Sequence, residues 1–400
     1  MNKISIITKT FRIHDNPFLD SDLYIILIDQ NEYGDNQKKF LMNIVNLHLS
    51  DLYQIGIKPI ITDSYKKISK IIKDNINEFE IFIDNVNPKI KIPFSKYNYV
   101  PTWCLIDWTD KVDKIKEWFL PEALKNHKVF KEYVNKNKRK EHKIKNIKKN
   151  YEFNKYFSQT NYLDKKLPQT YVPLPVKDLE KWILKKLKTT KFIKKKEWFK
   201  PDTCPTTKIS DIQEDIKDIY KTSKLSPFVA LGVISPIKMY NYYTGEDRMG
   251  SGKDQLLFRE MFHACAQMPE YWNDNFGKEY NWKNKDKEDW NNYINGTTGH
   301  KDLDWAMKLL KKEGWIHHLA RHMVADYLTR GVLEIHWKYG MDWFKNTLVD
   351  HDDCVNRGNW MWLSGTAFST KQRSFYHYSP DKYLENRNKK LKIKYDYIDD

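Results

Sequence analysis

Residues 314–322 (Gly-Trp-Ile-His-His-Leu-Ala-Arg-His) set three imidazoles and a guanidinium on the opening turns of a helix that follows a glycine break. Spacing of four puts His318 and His322 on one face, with His317 and Arg321 on an adjacent one. Imidazole changes protonation near neutral pH, so such a pair can pass a proton to a reacting group. It can also hold zinc, although no third Cys, His or carboxylate stands at ligand spacing. On spacing alone a hydrogen-bonded core pair ranks first, proton transfer second and zinc third.

Two further segments carry polar groups at telling positions. Asp350-His351-Asp352-Asp353-Cys354-Val355-Asn356-Arg357-Gly358-Asn359-Trp360-Met361-Trp362 is an acidic, amide-rich turn leading into Trp-Met-Trp. One of its carboxylates can pair with Arg321, and its asparagine can hydrogen-bond a heteroaromatic ring; a capped loop between helices explains it equally well. Thr222-Ser223-Lys224-Leu225-Ser226-Pro227 places three hydroxyls before an apolar helical segment. Hydroxyls there predict simple helix capping, and with free backbone N–H groups they also suit a phosphate.

The elements that must position these residues differ along the chain. Ile4–Ile7, Leu23–Ile28, Pro59–Ile61 and Phe79–Ile83 read as buried strands, separated by helical patterns over 38–54 and 65–75. Strands alternating with helices predict an α/β domain with a parallel sheet at about residues 1–120. Residues 121–205 read as a lysine-rich linker with helices. Within them, 136–150 holds eight Lys/Arg and one Glu and reads as an exposed arm, because like charges repel. From about 206 to 380 the amphipathic patterns 253–268, 303–313 and 315–329 predict a larger all-α domain, and 381–400 is a charged tail.

The composition narrows the class. Of 400 residues, 69 are Lys or Arg and 53 are Asp or Glu, a net charge of +16 that favours a polyanionic partner. An AT-rich coding sequence, with its Lys, Asn and Ile, raises the same number. Fourteen Trp, 25 Tyr and 19 Phe exclude a mainly disordered chain. Cys104, Cys204, Cys265 and Cys354 are too far apart for a disulfide framework or a paired metal motif. With no secretory signal pattern and no membrane-length apolar run, the sequence reads as soluble and intracellular.

Taken together these segments resemble the photolyase/cryptochrome family of flavoproteins. The resemblance also takes in Gln255-Leu256-Leu257-Phe258-Arg259-Glu260-Met261-Phe262, Gly296-Thr297-Thr298-Gly299 and Leu328-Thr329-Arg330-Gly331, and it is strongest from Thr222 to Leu363. Near the N-terminus, Arg12-Ile13-His14-Asp15-Asn16-Pro17 is similar to the family's Arg-x-x-Asp-Asn-Pro motif. The resemblance implies FAD in the helical domain, UV-damaged DNA as partner, a monomer and no membrane; no antenna chromophore is assigned.

By position, the resemblance makes Thr222, Ser223, Leu225 and Ser226 a flavin phosphate loop, with Gln255 and Arg259 lining flavin and substrate. Arg321 and Asp350 become the ion pair beside the flavin ring, Asp352 a partner of its polar edge and Asn356 the residue facing N5. Trp360, Trp337 and Trp282 match a photoreduction chain from inner to outer. Phe258, where the family usually has Trp, and Trp362 match positions that hold the extruded bases. His318 and His322, together with Gln255, match (6-4) photolyases and animal-type cryptochromes, which makes His318 the expected acid and His322 its tuning partner. The implied activity is light-driven repair with a (6-4) lesion favoured; a cyclobutane-dimer photolyase or a cryptochrome photoreceptor are the alternatives.

Overall fold

The computed structural model describes residues 2–29, 32–73, 79–84, 94, 96–119, 127–144, 146–147, 225–243, 252–273, 276–316 and 318–368. Five parallel strands form one sheet: β1 (Asn2–Ile7), β2 (Leu23–Leu27), β3 (Ile60–Thr62), β4 (Phe79–Ile83) and β5 (Asn98–Tyr99), in the order β3-β2-β1-β4-β5. Ile4 lies opposite Leu23 on one side and Ile81 on the other. The alternation of side chains along a strand explains why these runs are apolar throughout. Leu23, Ile25 and Leu27 enter a smaller cluster with Ile4, Ile6, Ile81 and Ile83, whereas Tyr24 and Ile26 face the main core.

Helix α1 (Asp35–Gln54) follows β2 and buries Phe40, Leu41, Ile44, Val45, His48, Leu49 and Leu52, a stripe repeating every three or four residues. Helices α2 (Tyr65–Lys73), α3 (Val112–Phe119) and α4 (His127–Asn137) complete the first part. The rest is helical: α5 (Ser226–Ala230), α6 (Pro236–Tyr242), α7 (Gly252–Cys265), α8 (Lys287–Asn295), α9 (Lys301–Glu313), α10 (His318–Asp326), α11 (Trp337–Thr347) and α12 (Asp353–Leu363). Among the described residues of that half, the only β pairing is an isolated bridge between Lys283 and Ile335. The expected α/β sheet domain followed by a larger all-α domain is what forms. The two share the main core, where Phe40 of α1 meets Phe228 of α5 edge-on at 5.3 Å between ring centroids.

Buried carboxylates act as clasps, one within the sheet domain and two between it and the helices. Asp84, at the end of β4 beside the point where strand order reverses, accepts from the Thr8 and Lys9 backbone N–H and from both the Thr8 and Thr10 hydroxyls. Asp15 accepts two bonds from Arg139 (2.8 and 2.6 Å), one from the His142 N–H and one from the Ser235 hydroxyl. Arg12 donates across the seam to the carbonyl of Gly232 and, within the first part, to that of Thr102, at 2.7 Å each. The Arg-x-x-Asp-Asn-Pro motif therefore acts as an interdomain clasp: charge-assisted bonds of this kind satisfy buried ions that would otherwise oppose folding. On the helical side, Glu260 of α7 accepts from the N–H groups of Leu105 and Ile106 and from the Trp108 indole.

Three expectations change. Of residues 136–150, those described from 140 onward are exposed as expected, but 136 and 137 end α4, and Arg139 turns inward because Asp15 offers both carboxylate oxygens to its fork. The single helix expected over 315–329 is instead α10, starting at His318 and running into a π-helical turn at Tyr327–Gly331. The helix after residue 222 starts from Leu225, whose side chain has no acceptor to cap it; the Ser226 hydroxyl accepts from the Trp315 indole at 3.1 Å instead, and Thr222 and Ser223 lie outside the described residues.

Candidate functional site

Helix α10 exists because Gly314 closes α9 in a left-handed conformation (φ +68), which releases the chain to start again at His318. That start is at the surface, so His318 is exposed and His322 half-buried. They are not a core pair. Their rings meet edge-on at 5.9 Å, and His322 meets Trp362 of α12 edge-on at 5.4 Å. The run His318–His322–Trp362 thus forms a continuous ring-lined edge from the surface inward, which suits stacking and proton transfer at one place.

One turn along α10, Arg321 donates from Nη2 to Asp350 Oδ2 at 2.9 Å and from Nε to the Ile316 carbonyl at 2.9 Å. This is the pairing expected from the sequence. The Asp350 side chain is almost fully buried, and its Oδ1 has no hydrogen-bond partner among the described residues. Asp352 caps α12, accepting the Val355 N–H at 3.2 Å, and its other oxygen lies 3.0 Å from His263 Nε2 and 3.7 Å from Arg259 Nη2. Burial alone would raise the Asp352 carboxyl, but His263, Lys9 and Arg259 outweigh it and hold the group well below the usual carboxylate range. Arg259 donates to the Trp103 carbonyl from Nη1 at 2.8 Å, while its Nη2 is buried without a hydrogen-bond partner among the described residues.

Asn356 is buried on α12 and donates its amide to the Met341 carbonyl at 2.9 Å, which leaves the side-chain oxygen as the acceptor. Trp360 and Trp337 are buried and Trp282 is half-buried. Trp282 and Trp337 each lie 5.3 Å from the ring of His336, which caps α11 by accepting the Lys338 N–H. A Cβ on Gly340 would come within 2.2 Å of the Trp360 ring. Only glycine lets α11 press on Trp360 one turn from Trp337.

The remaining sequence-derived site residues divide. Gln255 is exposed on α7 and Phe258 is half-buried against the core. Leu225 is buried in the core, and Thr222 and Ser223 lie outside the described residues. His263, His336 and Arg357 also belong to this region and were not singled out from sequence. The i, i+4 spacing of His263 from Arg259 was the available signal. His263, Asp352 and Cys354 offer ligand atoms within 4.8 Å of one another. Arg259 occupies the cationic place beside that carboxylate, which opposes a metal ion there.

A planar heterocycle with imide N–H and carbonyl groups fits this donor set. The open acceptor Asp350 Oδ1 and open donor Arg259 Nη2 supply complementary groups, and buried polar atoms of this kind are costly unless a ligand meets them. The comparisons point the same way. Residues 253–399 match the family model for the FAD binding domain of DNA photolyase. The (6-4) DNA photolyase of Oryza sativa subsp. japonica is 37% identical over 171 residues, covering 39% of this chain and 29% of that protein. Cryptochrome-1 of Macaca fascicularis is 38% identical over 172 residues, covering 39% and 28%. The aligned part thus spans less than a third of the length of either relative. In structure, the chain is similar to an archaeal photolyase from Sulfolobus tokodaii with two FAD molecules (TM-score 0.69, 19% identity, 98% of this chain and 89% of that one). It is also similar to a class III photolyase from Agrobacterium tumefaciens (TM-score 0.68, 19% identity, 96% and 84%). At that identity these two establish the fold alone. The resemblance read from the motifs is borne out, with FAD as the cofactor, and no helix among the described residues is long and apolar enough to cross a membrane.

Proposed function

We propose, on the premise that residues 253–399 form an FAD-binding domain of the DNA photolyase/cryptochrome family, that this protein uses light to repair UV-damaged DNA, with a (6-4) lesion favoured. The observation that carries the reading is the ring-lined edge His318–His322–Trp362 beside the Arg321–Asp350 pair. Bound reduced FAD supplies a light-excited electron; the protein's residues do the rest. Arg321, Asp350, Arg259 and Asp352 would hold the ring, and Asn356 would meet its hydrogen-bonding edge with the amide oxygen. Leu225 and Ser226, with Thr222 and Ser223, serve the phosphates. Trp362, Phe258 and Gln255 receive the extruded bases, by stacking for the two aromatics. His318, exposed and so able to reach substrate, gives the proton that lets a hydroxyl move between bases, and His322 orients it. Trp360, Trp337 and Trp282 relay electrons inward to restore the reduced cofactor.

The test is illumination of the purified, reduced protein with oligonucleotides carrying either a (6-4) photoproduct or a cyclobutane dimer. Loss of the (6-4) lesion, abolished by His318→Ala with flavin still bound, is expected; selective loss of the dimer would move the assignment to a cyclobutane-dimer photolyase. A photoreceptor reading draws support from cryptochrome-1 relatives as similar as the (6-4) photolyases, and repair of neither lesion would favour it.

A further inference from the structure

We infer that Arg357 makes Trp337 a one-way relay, driving positive charge outward to Trp282; this rests on the electron-relay reading of Trp360, Trp337 and Trp282 above. Arg357 is buried on α12, with its guanidinium carbon 5.0 Å from the centre of the Trp337 ring and 6.0 Å from those of Tyr271 and Trp272. It cannot swing away, because Nε donates to the Tyr271 carbonyl at 2.6 Å and Nη2 to the Asn273 carbonyl at 2.7 Å. A guanidinium stays charged at any working pH.

With Trp337 neutral, a cation over its ring is attractive. The sign reverses once an electron leaves the indole. Two positive charges at this separation in a buried site repel by more than the free energy of a tenfold change in an equilibrium. Trp337 does not readily lose its proton, because its Nε1 is buried with no hydrogen-bond partner among the described residues to accept it. Trp282, half-buried, lies beyond His336 by two ring contacts of 5.3 Å, and water stabilises charge there better. Arg357 therefore keeps charge from resting on Trp337.

The electrons balance in single steps. Trp360 gives one electron to the light-excited FAD; Trp337 gives one to the Trp360 radical cation, which returns to neutral tryptophan. Trp282 then gives one to oxidised Trp337, and a soluble thiol reductant restores Trp282. No bond forms or breaks between side chains, and no proton leaves Trp337.

The experiment follows the indole radical cation after a laser flash on the full chain loaded with oxidised FAD. In a Trp282→Phe background the charge stops at Trp337, so its lifetime there is read directly. Adding Arg357→Gln, neutral but still able to donate to the Tyr271 carbonyl, is expected to lengthen that lifetime about tenfold. Arg357→Lys, which retains the charge, should stay within about twofold of the background value. Flavin absorbance and melting temperature check that each variant is folded, and Arg357→Met is a second neutral variant if Gln does not load flavin. An unchanged lifetime in the neutral variants overturns the role of Arg357. If Trp337→Phe alone leaves the radical signal intact, the relay reading itself fails, and the inference with it.

Discussion

Asp84 within the sheet domain, and Asp15 and Glu260 on the seam between sheet and helices, are surrounded by donors, whereas Asp350 and Arg259 at the candidate site each keep a buried polar atom without a hydrogen-bond partner among the described residues. Both sets are buried and charged, so burial does not separate them; hydrogen-bond satisfaction does. Filled carboxylates are clasps that stabilise the folded chain, since removing one orphans its donors. Atoms left open lower stability in the free protein and raise affinity for a ligand that meets them. Even the titration differs in cause. Burial pushes Glu260 and Asp84 up despite their donors, while at Asp15 burial is outweighed by Arg139, and the carboxyl falls to about 2.

The sharpest way to break this comparison is at Glu260. Glu260→Leu strips partners from the Leu105 and Ile106 N–H groups and the Trp108 indole, and should cost on the order of 4 kcal/mol by denaturant unfolding. A loss below about 1 kcal/mol would deny the seam its clasp role.

Gly340→Ala comes next. Its Cβ would stand 2.2 Å from the Trp360 ring, so α11 and α12 must part, at about 2 kcal/mol in thermal unfolding and with slowed flavin photoreduction. Unchanged values for both would mean that Trp360 is not pinned there.

A smaller effect is expected from acid. The Asp15 carboxyl titrates at about 2 when folded against an ordinary 3.8, so the unfolded chain takes up the proton first. Its contribution, about 2 kcal/mol, is fully present above pH ~4 and is lost as pH falls through ~2. Asp15→Asn should flatten unfolding free energy against pH in that window; an unaltered slope removes Asp15 from the clasp.

Asp350→Asn should change stability least, by about 1 kcal/mol, because Arg321 keeps its bond to Ile316 and reaches solvent. It should instead weaken FAD retention about tenfold, as one charged hydrogen bond is lost, measured by dialysis of the loaded protein. Equal loss of stability and FAD binding would erase the distinction between clasp and site.

How much of this was legible in sequence follows from range. Strands and helices came from the local spacing of apolar residues, as with Leu303, Ala306, Met307 and Leu310 on α9. The Arg321–Asp350 pairing came from a family motif and a charge match. What escaped depended on contacts distant in sequence. Arg139 looked like one more lysine-arm charge until Asp15, 124 residues earlier, was brought beside it. Ser226 looked like a cap until Trp315 took its hydroxyl. His263 and Arg357 look like ordinary helix residues until α12 packs on α7 and the Trp337 ring comes within 5.0 Å of Arg357.

Sequence alone determined the two-part architecture, the resemblance to the photolyase/cryptochrome family and the residue types gathered at the candidate site, because strand and helix periodicity and short motifs are local properties of the chain. The tertiary structure decided which charges are spent on holding the protein together and which remain open to a ligand. That distinction rests on whether each buried oxygen or nitrogen finds its partner, and partners separated by a hundred residues meet only in the folded state.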